Sequence, residues 1–485
     1  MEFEIKRKDF AGRIGKLEIG RSVVETPTIL PVINPNLQTI NVDELKEMGA
    51  QIVITNSYII FKNLELREKA LSRGLHDLIG FDGPIMTDSG AYQLSVYGDV
   101  DVSSEEIIDF QKKIGSDIIV PLDIPTPQEA SKEKARKDLE ETNKRLRQIE
   151  LDERNFAGPV QGSSFFDLRE RSAKEVSDLG FDLYCIGGVV PMMESYDFSE
   201  LAKSIVASKK NLSLKSPIHL FGAGHPMTFA LATLLGCDLF DSAAYALFAK
   251  RDKYLTNRGT WDMNEMNYLP CSCPICQKNN INDLLENKTK LAKHNLYSTF
   301  EEIKTIKEAI RRGELFELAF ERSRTHPELI DGLKIAMGKG KEFFEKITPR
   351  SKKNAFFYQG EESLYRPEIK RNLKRLLDMD FEEQTLLISQ EDFEIEEKQG
   401  VAVFKVKPPF VFPKELKRTY PFGQSIIADL NNEKRLDISK KLIKDFLENE
   451  KDEFEEIKTV GEFRIKEIEK IEREEARDNY SKNHG

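Results

Sequence analysis

The chain has 485 residues, of which 39% are hydrophobic and 32% charged, with a formal net charge of −10 and 5 cysteines. Its length exceeds one ordinary core and implies two or three domains. Its acidity argues against a protein that coats nucleic acid nonspecifically, and so few cysteines need no disulfide framework. The N-terminus MEFEIKRKDF holds no apolar signal segment, and the uncharged run Ser216–Cys237 is broken by Gly222, Gly224, His225 and Pro226. Neither export nor a membrane span is expected, and the expected compartment is the cytoplasm.

Residues 2–25 alternate apolar and polar positions around Ala11 and Gly12 and again around Gly20, which predicts an antiparallel hairpin ahead of the main fold. From Thr28 the rhythm changes to short Val- and Ile-rich runs, most of them followed by a helical pattern. The runs are Thr28–Ile33, Gln51–Asn56, Pro84–Asp88, Asp117–Asp123, Ala157–Gln161, Asp182–Gly187, Pro217–Gly222 and Cys237–Asp241. Helical segments such as Val42–Met48, Ser104–Ile114, Phe166–Leu179 and Met227–Leu235 separate them. Eight such repeats predict an α/β fold, a (β/α)8 TIM barrel, whose active site is built at the C-terminal ends of the strands.

The polar residues follow that rule. Asp88, Asp123, Gln161, Gly187 with Gly188, the Gly222–Gly224 loop and Asp241 close six successive runs. An acid after a strand often only caps the next helix, which explains any one of these positions but not the set. A pairing of Asp88 with Asp241 depends on the barrel, because nothing in their spacing brings them together. His219 and His225 receive no role, and the apolar helix after Pro226 is expected to pack in the core.

Cys271, Cys273, Cys276 and His294 form a CxCxxC…H set. Thiolates at these spacings can meet one ion from a single loop, and the histidine completes a closed tetrahedron, so one structural Zn2+ per chain is expected. Cys185 and Cys237 lie in apolar runs and should simply pack.

With these residues placed, the sequence resembles the tRNA-guanine transglycosylases, in particular the archaeal enzymes of archaeosine biosynthesis. The resemblance covers roughly residues 2–345 through ETPTILPVINPN, MTDSGAYQLS, PLDIPTPQEA, VQGSSF, GGVVPMME, FGAGHP, DLFDSAAYALFAKRDKYLT, CSCPIC and LAKHNL. It implies exchange of a guanine in the D arm of tRNA, at position 15, for free 7-cyano-7-deazaguanine by double displacement through a covalent enzyme–tRNA intermediate. By resemblance Asp241 is the nucleophile and Asp88 the proton carrier; the opposite assignment is the internal alternative. Asp123 reads the base edge, Gln161, Gly187, Gly188 and Val189 complete it, and Tyr92 stacks on the base. Lys250, Arg251, Lys253, Arg366, Lys370, Arg371, Lys374 and Arg375 are candidates for phosphate contact.

The domain reading that follows is a catalytic barrel over 1–345 with an inserted zinc-binding subdomain at about 262–298, a small archaeal-type α+β extension over 346–430, and a charged helical tail over 431–485. Archaeal members of the family usually continue into a PUA domain that grips tRNA, and the tail, with Ile465, Ile468 and Ile471 at helical spacing, does not read as one. A separate PUA-type subunit or a second copy of the chain is therefore expected to complete tRNA binding. Two other readings are a noncatalytic tRNA-binding paralogue and a zinc-dependent barrel hydrolase; four protein ligands on the zinc argue against the latter.

Overall fold

The computed structural model describes residues 1–91, 102–396, 398–430, 432–450 and 454–460. The chain divides into two compact units, Met1–Ile347 and Thr348–Gly485.

The first unit opens with three antiparallel strands, β1 (Glu2–Asp9), β2 (Gly12–Ile19) and β3 (Ser22–Thr26), where the sequence predicted one hairpin. Both expected turns form, so the chain reverses twice. Leu17, Ile19 and Val24 from this sheet join the cluster that fills the barrel interior, with Leu30, Ile54, Met86, Ile118, Leu183 and Leu239. Arg13 on β2 grips Asp238 with two hydrogen bonds, from Nε to Oδ1 at 2.8 Å and from Nη2 to Oδ2 at 2.7 Å. Both side chains are buried, so loss of either would strand a charge.

Eight parallel strands follow: β4 (Thr28–Ile33), β5 (Val53–Asn56), β6 (Ile85–Asp88), β7 (Ile118–Ile119), β8 (Asn155–Val160), β9 (Leu183–Ile186), β10 (Ile218–Leu220) and β11 (Leu239–Ser242). They close in chain order, with β11 pairing back onto β4. The fold is a (β/α)8 TIM barrel, as the eight apolar runs predicted. The fourth run differs most: it pairs over two residues only, because Pro121 cannot donate to a ladder. Asp123 therefore sits on a proline-rich loop rather than at a strand end. That loop is tied to the helix Lys132–Arg147 by the Thr142 hydroxyl, which accepts from the Ile124 amide at 3.0 Å, and by Thr126, which donates to Asp138 at 2.9 Å.

After β11 the helix Ala244–Lys250 leads into a hairpin of β12 (Lys253–Thr256) and β13 (Gly259–Asp262), two short helices, and the long helix Lys288–Arg312. Among the described residues, no helix is long and apolar enough to cross a membrane.

The second unit contains β14 (Phe356–Phe357), the helix Pro367–Leu377, β15 (Thr385–Gln390), β16 (Val401–Lys407), β17 (Phe410–Pro413), β18 (Ser425–Ile426), the helix Glu433–Glu450 and β19 (Glu456–Val460). Its main sheet runs β17-β16-β15-β19. This departs from the expected helical tail. The helix is present, but its Leu442, Ile443, Phe446 and Leu447 are buried, and β19 adds a parallel strand beside β15. Charged residues dominate the composition while the apolar ones fall on one face, so an apparently solvated segment supplies core. Ile465, Ile468 and Ile471 lie outside the described residues.

Candidate active site and metal centre

Asp88 ends β6 and Asp241 lies one residue before the end of β11, at the same rim of the barrel. Asp241 is held by one oxygen. The Gly222 amide donates to Oδ1 at 2.8 Å, and His219 Nε2 lies 2.9 Å from the same atom without the alignment of a hydrogen bond. No described residue donates to Oδ2. Gly222 has φ +70° and a Cβ there would lie 2.3 Å from Val190 Cγ2, so only glycine brings this amide to the carboxylate.

Asp88 accepts from Asn56 Nδ2 at 3.2 Å, while the Ser57 hydroxyl donates to its backbone carbonyl at 2.7 Å. Burial, followed by the charges of Asp123 and Asp241, pushes its carboxyl up to about 7. Two carboxyl groups with different environments thus share one rim, one with an oxygen free to attack and one poised to hold a proton at neutral pH.

Asp123 is buried, which raises its pKa, and Gln161 Nε2 donates to its Oδ2. Gln161 Oε1 is buried without a hydrogen-bond partner among the described residues. The turn Gly187–Gly188 lies against this pair: a Cβ on Gly187 would meet Gln161 Nε2 at 2.5 Å, and one on Gly188 would meet Gln161 Oε1 at 2.8 Å. The structure therefore brings together Asp88, Asp123, Gln161, Gly187, Gly188 and Asp241. Val189, buried, follows in the same turn. Tyr92 lies outside the described residues.

Several neighbours escaped the sequence reading. His219, given no role by the sequence, stands beside Asp241; its place on a strand that ends at the mouth was the available signal. Asn56 closes the second run, the same strand-end signal, and Arg169, on a helix, gave none. His225 proves structural: its Nδ1 caps the helix Pro226–Leu234 by accepting from Met227 N, its Nε2 meets the Thr260 hydroxyl at 2.9 Å, and burial lowers its pKa to about 4.

Of the residues proposed for phosphate contact, Lys250 and Arg251 are exposed, whereas Lys253 pairs with Asp262. Arg366 is a correction: it is buried, donates to Glu368 at 2.6 Å and covers the Phe356 ring. Arg371 donates to the carbonyls of Thr348 and Pro349, while Lys374 and Arg375 are exposed. Lys370 also lies exposed on that helix.

The donor atoms of Cys271, Cys273, Cys276 and His294 all lie within 4.8 Å of one another. His294 Nδ1 is 3.3 Å from Cys276 Sγ and 3.6 Å from Cys273 Sγ. Thiolate and imidazole on one tetrahedral zinc stand about 3.6 Å apart, so the spacing fits such an ion. His294 Nε2 faces the Leu255 carbonyl at 3.2 Å, which places its proton there and leaves Nδ1 as the ligand. The Tyr254 ring stacks on the imidazole at 3.6 Å and fixes its plane. Hydrogen bonds from Cys271 and Cys276 pull Cys273 down to about 3, and the same crowding pushes Cys276 up. A cation among the three sulfurs would let all of them deprotonate.

A family model described as queuine tRNA-ribosyltransferase matches residues 9–328. A protein of Methanosarcina acetivorans named tRNA-guanine(15) transglycosylase is 52% identical over 431 residues, 87% of each chain. Proteins of the same name from Methanocaldococcus jannaschii and Haloarcula marismortui are each 47% identical, over 92% and 86% of this chain and 72% and 87% of their own. The matched span includes both rim aspartates, Asp123, the Gly187–Val189 turn and all four Cys/His ligands, and the chain belongs to this family, the tRNA-guanine transglycosylases.

Proposed function

We propose that the protein exchanges the guanine at position 15, in the D arm of tRNA, for free 7-cyano-7-deazaguanine, a step of archaeosine biosynthesis. The names of the relatives support the position, and the resemblance of the sequence to the archaeal enzymes of archaeosine biosynthesis supports the incoming base. The observation that carries the mechanism is the unequal pair of carboxyl groups at one rim.

In this reading Asp241 attacks the ribose anomeric carbon with its free oxygen. The N-glycosidic bond breaks, its electron pair leaves on the purine, and Asp88 gives the purine a proton. The incoming base then loses a proton to the Asp88 carboxylate and attacks the same carbon, and the Asp241 ester bond breaks. Two inversions retain configuration, and the phosphodiester backbone is never cut. Asp123 accepts from the N–H groups of the base edge, while Gln161 and the turn at Gly187, Gly188 and Val189 meet the rest. Tyr92 stacks on the base. Cys271, Cys273, Cys276 and His294 hold one Zn2+ that fixes structure and leaves no open position for water. A separate PUA-type polypeptide or a second copy of the chain completes the grip on tRNA.

The test uses tRNA carrying labelled guanine, with release followed on adding the free base, first with the purified chain and then with candidate partner fractions. Asp241→Ala should abolish both release and the covalent adduct seen on a denaturing gel. An adduct that persists in this variant transfers the nucleophile role to Asp88.

A further inference from the structure

Arg169 lies on the helix Phe166–Asp178 and is among the largest fully buried side chains of the protein. Its guanidinium meets backbone carbonyls only: Nε donates to Ser163 O at 2.9 Å, Nη1 to Val160 O at 3.1 Å and Gly187 O at 2.7 Å, and Nη2 to Gly188 O at 3.5 Å. Burying a cation with no acid against it is costly, and a purely structural filler would be apolar. The four carbonyls flank the two segments that carry Gln161 and the Gly187–Gly188 turn.

A trans peptide points its C=O and N–H in opposite directions. With the carbonyls of Gly187 and Gly188 drawn onto Arg169, the amides of Gly188 and Val189 face away from it. Among the described residues neither amide donates a hydrogen bond, whereas the Gly187 amide is already used by Val160 O at 3.1 Å. The same turn packs against Gln161 and Asp123, so the two free donors lie on a turn that borders the polar pocket.

We propose that Arg169 is a positioning residue for base specificity: it anchors the carbonyl side of the Gly187–Gly188–Val189 turn so that two amide donors meet an acceptor on the purine, the 6-oxygen, next to the N–H groups held by Asp123. The inference rests on the base-exchange reading above. Arg169 does not touch the reacting carbon, and its loss should act on base affinity more than on turnover.

The experiment measures the equilibrium binding of free guanine and of hypoxanthine to the wild type and to Arg169→Lys, with label release giving kcat. A lysine cannot span four carbonyls. Both bases carry the 6-oxygen and only guanine carries the exocyclic amine. Both affinities should fall together by roughly tenfold, with their ratio kept and kcat at saturating base within a few-fold of wild type. Unchanged guanine affinity in the folded variant overturns the proposal, as does a collapse of the guanine-to-hypoxanthine ratio, the sign of a pocket loosened throughout. A second measurement needs no variant: saturating guanine should protect the Gly188 and Val189 amides of the wild type from hydrogen exchange, and absence of protection there also overturns it. A wild type that neither releases label nor binds guanine instead defeats the base-exchange reading itself.

Discussion

The surroundings of Asp88 suit the proton-carrying role proposed for it. Burial and two neighbouring carboxylates hold its proton up to about 7, so the folded protein binds a proton that the unfolded chain has already released above about 4. The folded state is thus penalised as pH rises from about 4 to about 7, and the penalty is constant above that. It amounts to ~4 kcal/mol at most, an upper bound because the side chain keeps partial access to solvent at the mouth. Asp88→Asn should match the wild type in stability near pH 4 and exceed it at pH 8, as read by denaturant midpoints at the two pH values. Adduct formation by the wild type should decline above pH about 7, where the proton is gone; a rate flat from pH 6 to 9 would remove Asp88 as the acid. At this scale the sequence was legible for residues whose type alone proclaims chemistry at a strand end. It was silent on Arg169 and offered only a place on a barrel strand for His219 and Asn56, because what makes them relevant is contact across the barrel.

Among the elements, the barrel strands were readable because each is a short apolar run bounded by turn residues, and the Cys/His set because its three cysteines crowd into one loop, Cys271, Cys273 and Cys276. The short β7 shows the limit: composition marked Asp117–Asp123 as a strand, but Pro121 removes the donor that pairing needs. The Cys/His cluster joins the β12–β13 hairpin to the helix Lys288–Arg312 through His294, Leu255 and Tyr254. Further support comes from Asn295 on the same helix, which accepts from the Leu255 amide and donates to the carbonyls of Tyr245 and Lys253. Loss of the ion should therefore loosen the subdomain without altering the rim carboxyl groups. Metal analysis should find one zinc per chain, and Cys273→Ala should lose it with a drop in Tm on the order of 5–10 °C. A zinc-free Cys273→Ala protein with wild-type Tm would remove the structural assignment.

For the whole molecule, the consequence lies in the second unit. The sequence from Lys441 reads as a charged helical tail, with acidic residues outnumbering basic ones, yet Leu442, Ile443, Phe446, Leu447, Phe454 and Ile457 belong to the core around β15 and β16. Phe446 packs on Phe404 with ring centroids 5.1 Å apart, and Phe381 touches Phe404, Phe446 and Phe454. Truncating one buried Phe to Ala costs about 3–5 kcal/mol, and a whole domain is stable by only about 5–15 kcal/mol. Removing all six therefore exceeds what the unit can lose, and it also exposes the β15 edge that β19 covers. A protein ending at Lys440 should keep a folded first unit, with its zinc and barrel, while residues 348–440 become sensitive to limited proteolysis. Calorimetry should then lose the heat of the second unit's transition. If residues 441–460 were a solvated appendage, the truncated protein would instead melt and resist protease as the full chain does.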